Sequence, residues 1–311
     1  MDPIKVVFAF DENYVTQGLI SALSLLDSSR ERNEEDKYEI YFLMDGSFDL
    51  VLEDEFSRYL SSYENLIHFK FVASDAFYGE AYDSRHVTRS TFLRLKLPDL
   101  FDFDKVIYSD VDVLYLSGLG ELWQMNLEEN FLAAVVDVGF NRKAVFEGKR
   151  KELPYWDRYF SGRRGTYFQA GLMLMNLKKL REGRMVTRWR EMSNERFEYQ
   201  DMDMINITCY PLIKKISTKY SVIPGYFKRG RYEDGVAEGF LSAQEVEEAR
   251  RTPVLIHYAG ARKPWNCPSA LGNHEYWCFL RKFPLLEKKL LEQYGWSWYD
   301  RIRKRFVSPL F

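Results

Sequence analysis

A chain of 311 residues that is 46% hydrophobic can bury a full core, as one large domain or two modest ones, and 16% aromatic content promises deep packing and stacking surfaces. With a formal net charge of −2 no nucleic-acid partner is expected. The three cysteines, Cys209, Cys267 and Cys278, are odd in number and form no C-x-x-C pair, which excludes a disulfide framework and a zinc knuckle, suits a reducing compartment, and reads them as small buried hydrophobes.

Only a short apolar run separates Met1-Asp2-Pro3-Ile4-Lys5 from Asp11. No secretory signal or membrane span is visible there or later, so the expectation is a cytoplasmic protein or one peripheral on the membrane's cytoplasmic face. Charge is uneven: residues 281–311 hold eight Lys or Arg against three Asp or Glu, a net of +5 that leaves −7 on residues 1–280. A basic end on an acidic body points to an anionic surface as partner.

Val6-Val7-Phe8-Ala9-Phe10 reads as a buried strand that ends on Asp11-Glu12-Asn13-Tyr14, and Leu19, Leu23 and Leu26 then recur at helical spacing. Ligands of open α/β sheets bind beyond the carboxyl ends of the strands, where Asp11, Asn13 and Tyr14 stand. Tyr14 can stack on a planar base while Asp11 or Asn13 bonds its edge; equally, these residues can form a helix N-cap with a solvated neighbour. A second strand over residues 38–44 precedes a helix with Leu50, Phe56 and Leu60 facing inward, and a third covers residues 67–72. Strands alternating with helical patterns mark a mostly parallel sheet with covered faces. Residues 74–89 lack a period and read as a loop before a helix of Thr91, Phe92, Leu95 and Leu97. Arg94 on that helix either clamps a phosphate or sugar or is an ordinary surface arginine.

The stretch 106–116 begins as a buried strand and then places Asp110 and Asp112, one residue apart, where that strand runs out. Side chains two apart on an extended chain point the same way, so these carboxylates can converge on a hard divalent cation that offsets their repulsion and desolvation. Such D-x-D runs also arise by chance, and Asp102-Phe103-Asp104 and Asp201-Met202-Asp203 are two more. Residues 119–127 read as a helix and 131–136 as a buried strand ending on Asp137, the third strand to end on an acid. Residues 139–167, basic, aromatic and aperiodic, read as a functional loop. A strand over 167–177 breaks at Ala170-Gly171, where backbone can approach a ligand, and a long amphipathic helix follows to about Arg196. Asp201 and Asp203 then open another helix whose dipole favours carboxylates, and residues 231–251 are acid-rich and assigned to the surface.

Residues 254–258 form a buried strand that delivers His257 into Ala259-Gly260-Ala261-Arg262-Lys263-Pro264-Trp265. A lone histidine at a strand end is ordinarily a satisfied core residue, but Gly260 permits close backbone approach and Lys263 supplies a cation. Together with a D-x-D pair this grouping suits a metal-bound nucleoside diphosphate. No zinc spacing, G-x-x-x-x-G-K-[ST] loop or nucleophile elbow competes with it. At the end, Tyr294, Trp296, Trp298, Tyr299, Phe306, Leu310 and Phe311 interleave with Arg301, Arg303, Lys304 and Arg305. That composition suits a lipid headgroup interface, or else aromatics that pack back on the domain under solvated cations.

In these blocks, taken in order, the chain resembles glycosyltransferase family 8, the retaining GT-A enzymes that include lipopolysaccharide α-galactosyl- and α-glucosyltransferases and glycogenin. Phe8-Ala9-Phe10-Asp11-Glu12-Asn13-Tyr14 is similar to the family's nucleotide loop, Thr91-Phe92-Leu93-Arg94-Leu95 to its donor-contacting helix, and Ser109-Asp110-Val111-Asp112 to its metal motif. Phe168-Gln169-Ala170-Gly171, Tyr199-Gln200-Asp201-Met202-Asp203 and the block from His257 to Trp265 also fall in register, so the likeness spans about residues 4–265. It implies an α/β, Rossmann-like GT-A fold, a mixed and mostly parallel sheet flanked by helices. The catalytic domain would cover residues 1–275, with residues 276–311 a C-terminal helical, basic and aromatic tail.

The resemblance further implies transfer of galactose or glucose from UDP-galactose or UDP-glucose to a saccharide acceptor on lipid or protein, with Mn2+ or Mg2+. Asp110, Asp112 and His257 would hold the metal. Ala9, Asp11, Asn13 and Tyr14 would hold uridine, with Val111 beside them, and Gly260 and Lys263 the phosphates. Arg94, Gln169 and Asp201 would meet the sugar, Met202 and Asp203 would complete the catalytic group, and His86, Val87, Asp137 and Tyr258 would line the acceptor side. Two departures stand out: the family usually has Asn at Gln169 and an amide, Gln, at Met202. They favour a second reading, a family-8 fold that has lost turnover and holds a nucleotide or glycan as partner of an active homologue. Retention of Asp110, Asp112 and His257 favours the active enzyme, and nothing resembles the basic phosphate-binding loop of a nucleotidyltransferase.

Overall fold

The computed structural model describes residues 2–32, 36–44, 50–63, 66–71, 89–296 and 310. Its apolar, β-branched and aromatic runs become β1 (Ile4–Phe10), β2 (Tyr38–Met44), β3 (Leu66–Phe71), β4 (Lys105–Ser109), β5 (Val113–Tyr115), β6 (Leu132–Val136), β7 (Phe168–Asn176), β8 (Ile213–Ile216) and β9 (Leu255–His257). The main sheet has the order β3-β2-β1-β4-β7-β6-β8, and β5 and β9 pair as a separate ribbon. β1 is parallel to β2 and β4, β2 to β3, and β6 to β8, whereas β7 runs antiparallel to both β4 and β6. The carboxyl ends of β1, β4 and β6 therefore share one edge with the amino end of β7. Asp11, Asp110 and Asp137, the acids that end those three strands, come to the same side of the molecule.

Alternation along β1 sends Val6, Phe8 and Phe10 into one core with Leu19, Leu23 and Leu26 of the helix Val15–Glu31. Val7 and Ala9 enter a second core with Leu95, Tyr108, Met173 and Trp189. Both faces are covered, so the strands read as continuous apolar runs; each fully buried large side chain contributes about 1.5–3 kcal/mol. The α/β fold read from the sequence, a mixed and mostly parallel sheet flanked by helices, is the one observed.

Several local expectations change. The helix expected over 119–127 is confined to Gly120–Gln124, because Met125 turns to extended backbone. The long helix to about Arg196 is two, Leu177–Glu182 and Met185–Met192, divided where Arg184 takes a left-handed φ of 51° so that Leu180 and Trp189 can both be buried. β7 runs unbroken past Ala170-Gly171; the irregularity lies opposite, in β6 between Ala134 and Val136. Residues 139–167 fold into short helical turns around Phe140, Phe146, Trp156, Phe160 and Tyr167. The acidic stretch 231–251 hides Tyr232, Leu241 and Val246, and of the cysteines only Cys209 is fully buried.

At the C-terminal end the helix Pro284–Gln293 buries Leu286, Leu290 and Leu291. Tyr294, Trp296 and Leu310 pack on the first core, with the rings of Trp277 and Trp296 5.8 Å apart and Gln17 Nε2 donating to Tyr294 Oη at 2.9 Å. The other tail residues, Arg301, Arg303, Lys304 and Arg305 among them, lie outside the described residues, as do His86 and Val87. Among the described residues no helix is long and apolar enough to cross a membrane.

Candidate active site

The edge where β1, β4 and β6 end opens into a cavity of about 960 Å³. Beyond β4 the chain turns through Asp110, Val111 and Asp112 into β5, whose Val113 pairs with His257 of β9. Tyr258 N donates to Asp112 O at 2.9 Å and Asp110 N to Gly171 O at 2.8 Å, so backbone bonds tie three chain segments together. Gly171 has no room for a side chain: a Cβ would stand 2.4 Å from His257 Cε1 and 3.1 Å from Asp110 Oδ2.

One imidazole and two carboxylates result, with a ligand atom from each of Asp110, Asp112 and His257 all within 4.8 Å of one another. His257 Nε2 lies 3.2 Å from Asp112 Oδ1 and 3.9 Å from Asp110 Oδ2. Asp112 Oδ1 is buried with no donor aligned on it as a hydrogen bond. Two carboxylates sharing one buried site repel, a cost that a cation would offset, and one nitrogen with hard oxygens is a donor set that Mn2+ or Mg2+ accepts. Behind the ring, Ser221 Oγ stands 3.4 Å from His257 Nδ1 and donates to Gln169 Oε1 at 2.5 Å, steadying both side chains.

Two cations brace these acids. Arg94, only 6% exposed, donates to Asp110 Oδ1 at 2.8 Å and Ala170 O at 2.7 Å, and its Nε lies 3.1 Å from Asp201 Oδ2. Its guanidinium stacks 4.5 Å over the Tyr108 ring. Lys263 Nζ bonds Asp112 Oδ2 and the carbonyl of Tyr258. Burial opposes ionisation of Asp112, but Lys263 and His257 outweigh it and hold the carboxyl well below its usual range. Burial also opposes a charged His257, yet Asp112 beside it moves the imidazole upward. Asp110 is raised by burial despite Arg94, and burial lifts Asp201 to about 6, with Arg94 opposing and Asp110 adding.

Ala9, Asp11 and Tyr14 reach the cavity from the end of β1, and Val111, Tyr258 and Gly260 line it near the acid and imidazole cluster. Asp11 is also an N-cap, its Oδ1 accepting from Asn13 N at 2.9 Å. Asn13 is exposed and off the cavity wall, its carbonyl accepting from Gln293 Nε2 at 3.0 Å. Gln169, Asp201 and Met202 form the wall beside Arg94; Gln169 Nε2 is buried and unpaired, and Met202 presents only a thioether. Asp137 caps Val138–Asn141 through Phe140 N at 2.9 Å and accepts from Tyr226 Oη at 3.2 Å.

Asp203, grouped from the sequence with the catalytic residues, is turned away from the cavity. Residues i and i+2 of a helix do not share a face, so Asp201 and Asp203 point apart. Tyr155 Oη and Tyr167 Oη donate to Asp203 at 2.7 and 2.6 Å, and Tyr199 N at 3.0 Å, pinning the 139–167 segment to the helix Gln200–Thr208. Reading the sequence also passed over Ser221, Tyr226, Arg229 and Arg231. The turn Pro224-Gly225-Tyr226 and the pattern Arg229-Gly230-Arg231 are the signals that mark the last three.

Fold and site together define an enzyme of the open α/β sheet class, with its ligands met beyond the strand ends. Residues 5–267 match glycosyl transferase family 8; the chain belongs to that family, and it is a glycosyltransferase. It is similar to a putative glycosyltransferase of Haemophilus influenzae, 24% identical over 306 residues that cover 97% of this chain and 83% of that one. It is also similar to the lipopolysaccharide 1,2-glucosyltransferase of Escherichia coli, 24% identical over 277 residues, 85% of this chain and 74% of that one. Among solved structures, galactosyltransferase LgtC in complex with donor and acceptor sugar analogs superposes with a TM-score of 0.71 at 25% identity, covering 90% of this chain and 96% of that one. The bifunctional glycosyltransferase WbbM superposes at 0.75 and 24% identity, covering 94% of this chain and 52% of that longer one.

Proposed function

We propose that the protein moves galactose or glucose from its UDP conjugate to a saccharide acceptor on a lipid or protein, with retention of anomeric configuration and a requirement for Mn2+ or Mg2+. The observation that carries this reading is the meeting of Asp110, Asp112 and His257 with Lys263 against them, at the edge where α/β sheets bind ligands. The names of relatives support the donor class, since a glucosyltransferase and a galactosyltransferase of lipopolysaccharide both align over most of this chain.

Asp110, Asp112 and His257 would hold the metal, which when bound neutralises the diphosphate and stabilises the leaving UDP. Lys263 shifts from Asp112 toward the phosphates and meets the negative charge that develops there. Arg94 fixes Asp201 so that its carboxylate accepts from hydroxyls of the hexose, and the unpaired Gln169 amide donates to the same sugar. Met202 can neither donate a proton nor serve as nucleophile, so the acceptor hydroxyl attacks on the face that UDP leaves. The new bond joins acceptor oxygen to the anomeric carbon, the bond to the phosphate oxygen breaks, and that oxygen takes the hydroxyl proton. Residues 1–275 act as the catalytic domain, and Arg301, Arg303, Lys304 and Arg305 of the tail attach it to an anionic membrane face.

A panel of UDP-hexoses with Mn2+, read as UDP release without acceptor, tests this. UDP-galactose or UDP-glucose should be hydrolysed slowly and only until chelator is added. Release from neither, with tight binding of one, would favour the second reading, to which Met202 points: a fold that keeps its nucleotide and has lost turnover.

A further inference from the structure

We infer that the acceptor saccharide carries an anionic group, a phosphate or a carboxylate, and that Arg229 and Arg231 receive it. This deepens the transferase reading and rests on it. The order of strands ranks positions along the cavity. Neighbouring strands lie about 4.8 Å apart, so Asp137 at the end of β6 stands about 10 Å beyond Asp110 at the end of β4, on the side away from β1 with Asp11 and Tyr14. That leaves room for a transferred hexose between the two.

At this far end Tyr226 makes a fixed platform. Its hydroxyl donates to Asp137 Oδ1 at 3.2 Å, and its ring packs edge-on against the buried Tyr232 with centroids 5.8 Å apart. Gly139 leaves it space, since a Cβ there would fall 2.2 Å from Tyr226 Oη. The Arg231 guanidinium lies over this ring, 5.1 Å from its centroid, and Arg229 lines the same cavity. Among the described residues neither arginine has an ion-pair partner, although carboxylates are close in sequence: Glu233 pairs with Arg250 and Asp234 with Arg142. Arg94 and Lys263 in the same cavity are each paired with a carboxylate, and Arg262 beside Lys263 is held by Cys267 Sγ and Ser269 Oγ. Two guanidiniums lining a ligand cavity with no counter-ion among the described residues suit carboxylate or phosphate oxygens, which their planar forks match. The diphosphate of the donor is not their partner, because Lys263 and the acid and imidazole cluster stand at the β4 end.

The test uses one disaccharide acceptor in three forms, neutral, phosphate monoester and uronic acid, with Arg229→Gln/Arg231→Gln and Arg229→Lys/Arg231→Lys variants of the full chain. The wild type should show a lower KM for both charged acceptors than for the neutral one. The Gln pair should raise KM for the charged forms by about tenfold, the loss expected for charge-assisted contacts from an exposed Arg229 and a half-buried Arg231, without moving kcat or the donor KM, and the Lys pair should recover part of it. A preference for the phosphate form alone or the uronate form alone identifies the anion. Equal KM for neutral and charged acceptors overturns the inference, and so does a donor KM that rises in the Gln pair, which would assign the arginines to the diphosphate. Calorimetric binding of the three saccharides is measured alongside. Should UDP release and transfer both fail, arginine-dependent binding of the charged saccharide upholds the anion site while the transferase reading falls, and its absence overturns both.

Discussion

At the β4 end of the cavity Asp110 and Asp201 touch Arg94 and Asp112 touches Lys263, whereas at the β6 end Arg229 and Arg231 touch no carboxylate among the described residues. Ligands therefore bind by different exchanges. At the first end a ligand, the proposed metal and diphosphate included, must replace internal partners, so each residue there is coupled to the next and its loss is felt through the whole group. At the second end a ligand only adds contacts, so the effects of mutation are small and confined to one substrate.

The largest expected effect breaks the coupled end. On the proposed reading Asp112→Asn removes a metal ligand and leaves Lys263 without its anion, so UDP release should fall by on the order of a thousandfold and cease to respond to Mn2+. Turnover that persists in this variant, or in chelator, would show that the cluster has another purpose. Next comes Asp201→Ala, for which a loss of about a hundredfold is expected from the misplaced sugar. The sign of its pH dependence follows from its raised carboxyl. Asp201 is ionised above about 6, the form that on the proposed reading accepts from sugar hydroxyls, so turnover should be present above that pH and decline as pH falls through it. In Asp201→Asn the residual rate should lose this acid limb; an unchanged limb would assign the titration elsewhere.

Asp201 and Asp203 also measure how much the sequence reveals. Strand ends and the D-x-D pair were legible because they are local: apolar runs stop on acids, and i, i+2 spacing in extended chain aims both carboxylates one way. The same spacing on a helix does not, and a one-dimensional pattern cannot tell which of two acids faces the cavity. The pairing of Val113 with His257 joins residues 144 positions apart, and only the β5 and β9 ribbon makes His257 a neighbour of Asp112. Arg229 and Arg231 were missed for a related reason: being unpaired is a property of three-dimensional surroundings. The split of one expected long helix at Arg184 shows tertiary burial of Leu180 and Trp189 overriding local propensity.

Asp203→Ala sharpens this comparison, because two tyrosine hydroxyls would lose their acceptor within an aromatic cluster. A loss of about 2–3 kcal/mol in unfolding free energy is expected, with the metal response of UDP release retained in the folded fraction. Met202→Ala, by contrast, should lower turnover by less than about tenfold, since the side chain offers only packing. A loss at Met202 as large as that at Asp201 would place the thioether in the chemistry and overturn the proposed face of attack.

The smallest effect on turnover is expected at the tail, where packing and the proposed membrane attachment can be tested separately. Tyr294, Trp296 and Leu310 are packed on the core, so Trp296→Ala should lower stability by about 2–3 kcal/mol through lost burial, and a chain cut after Gln293 should melt earlier for the same reason. Truncation is consequently a poor test of membrane attachment. Replacing Arg301, Arg303, Lys304 and Arg305 together by Gln removes charge and leaves Tyr294, Trp296 and Leu310 in place. Each cation near an anionic surface contributes about 1 kcal/mol at most, and the attraction falls off within a Debye length. The wild type should thus sediment with anionic vesicles at low salt and release at high salt, and the fourfold variant should stay in solution at both while hydrolysing the donor at the wild-type rate. Equal sedimentation of the two chains would remove these four cations from any account of attachment.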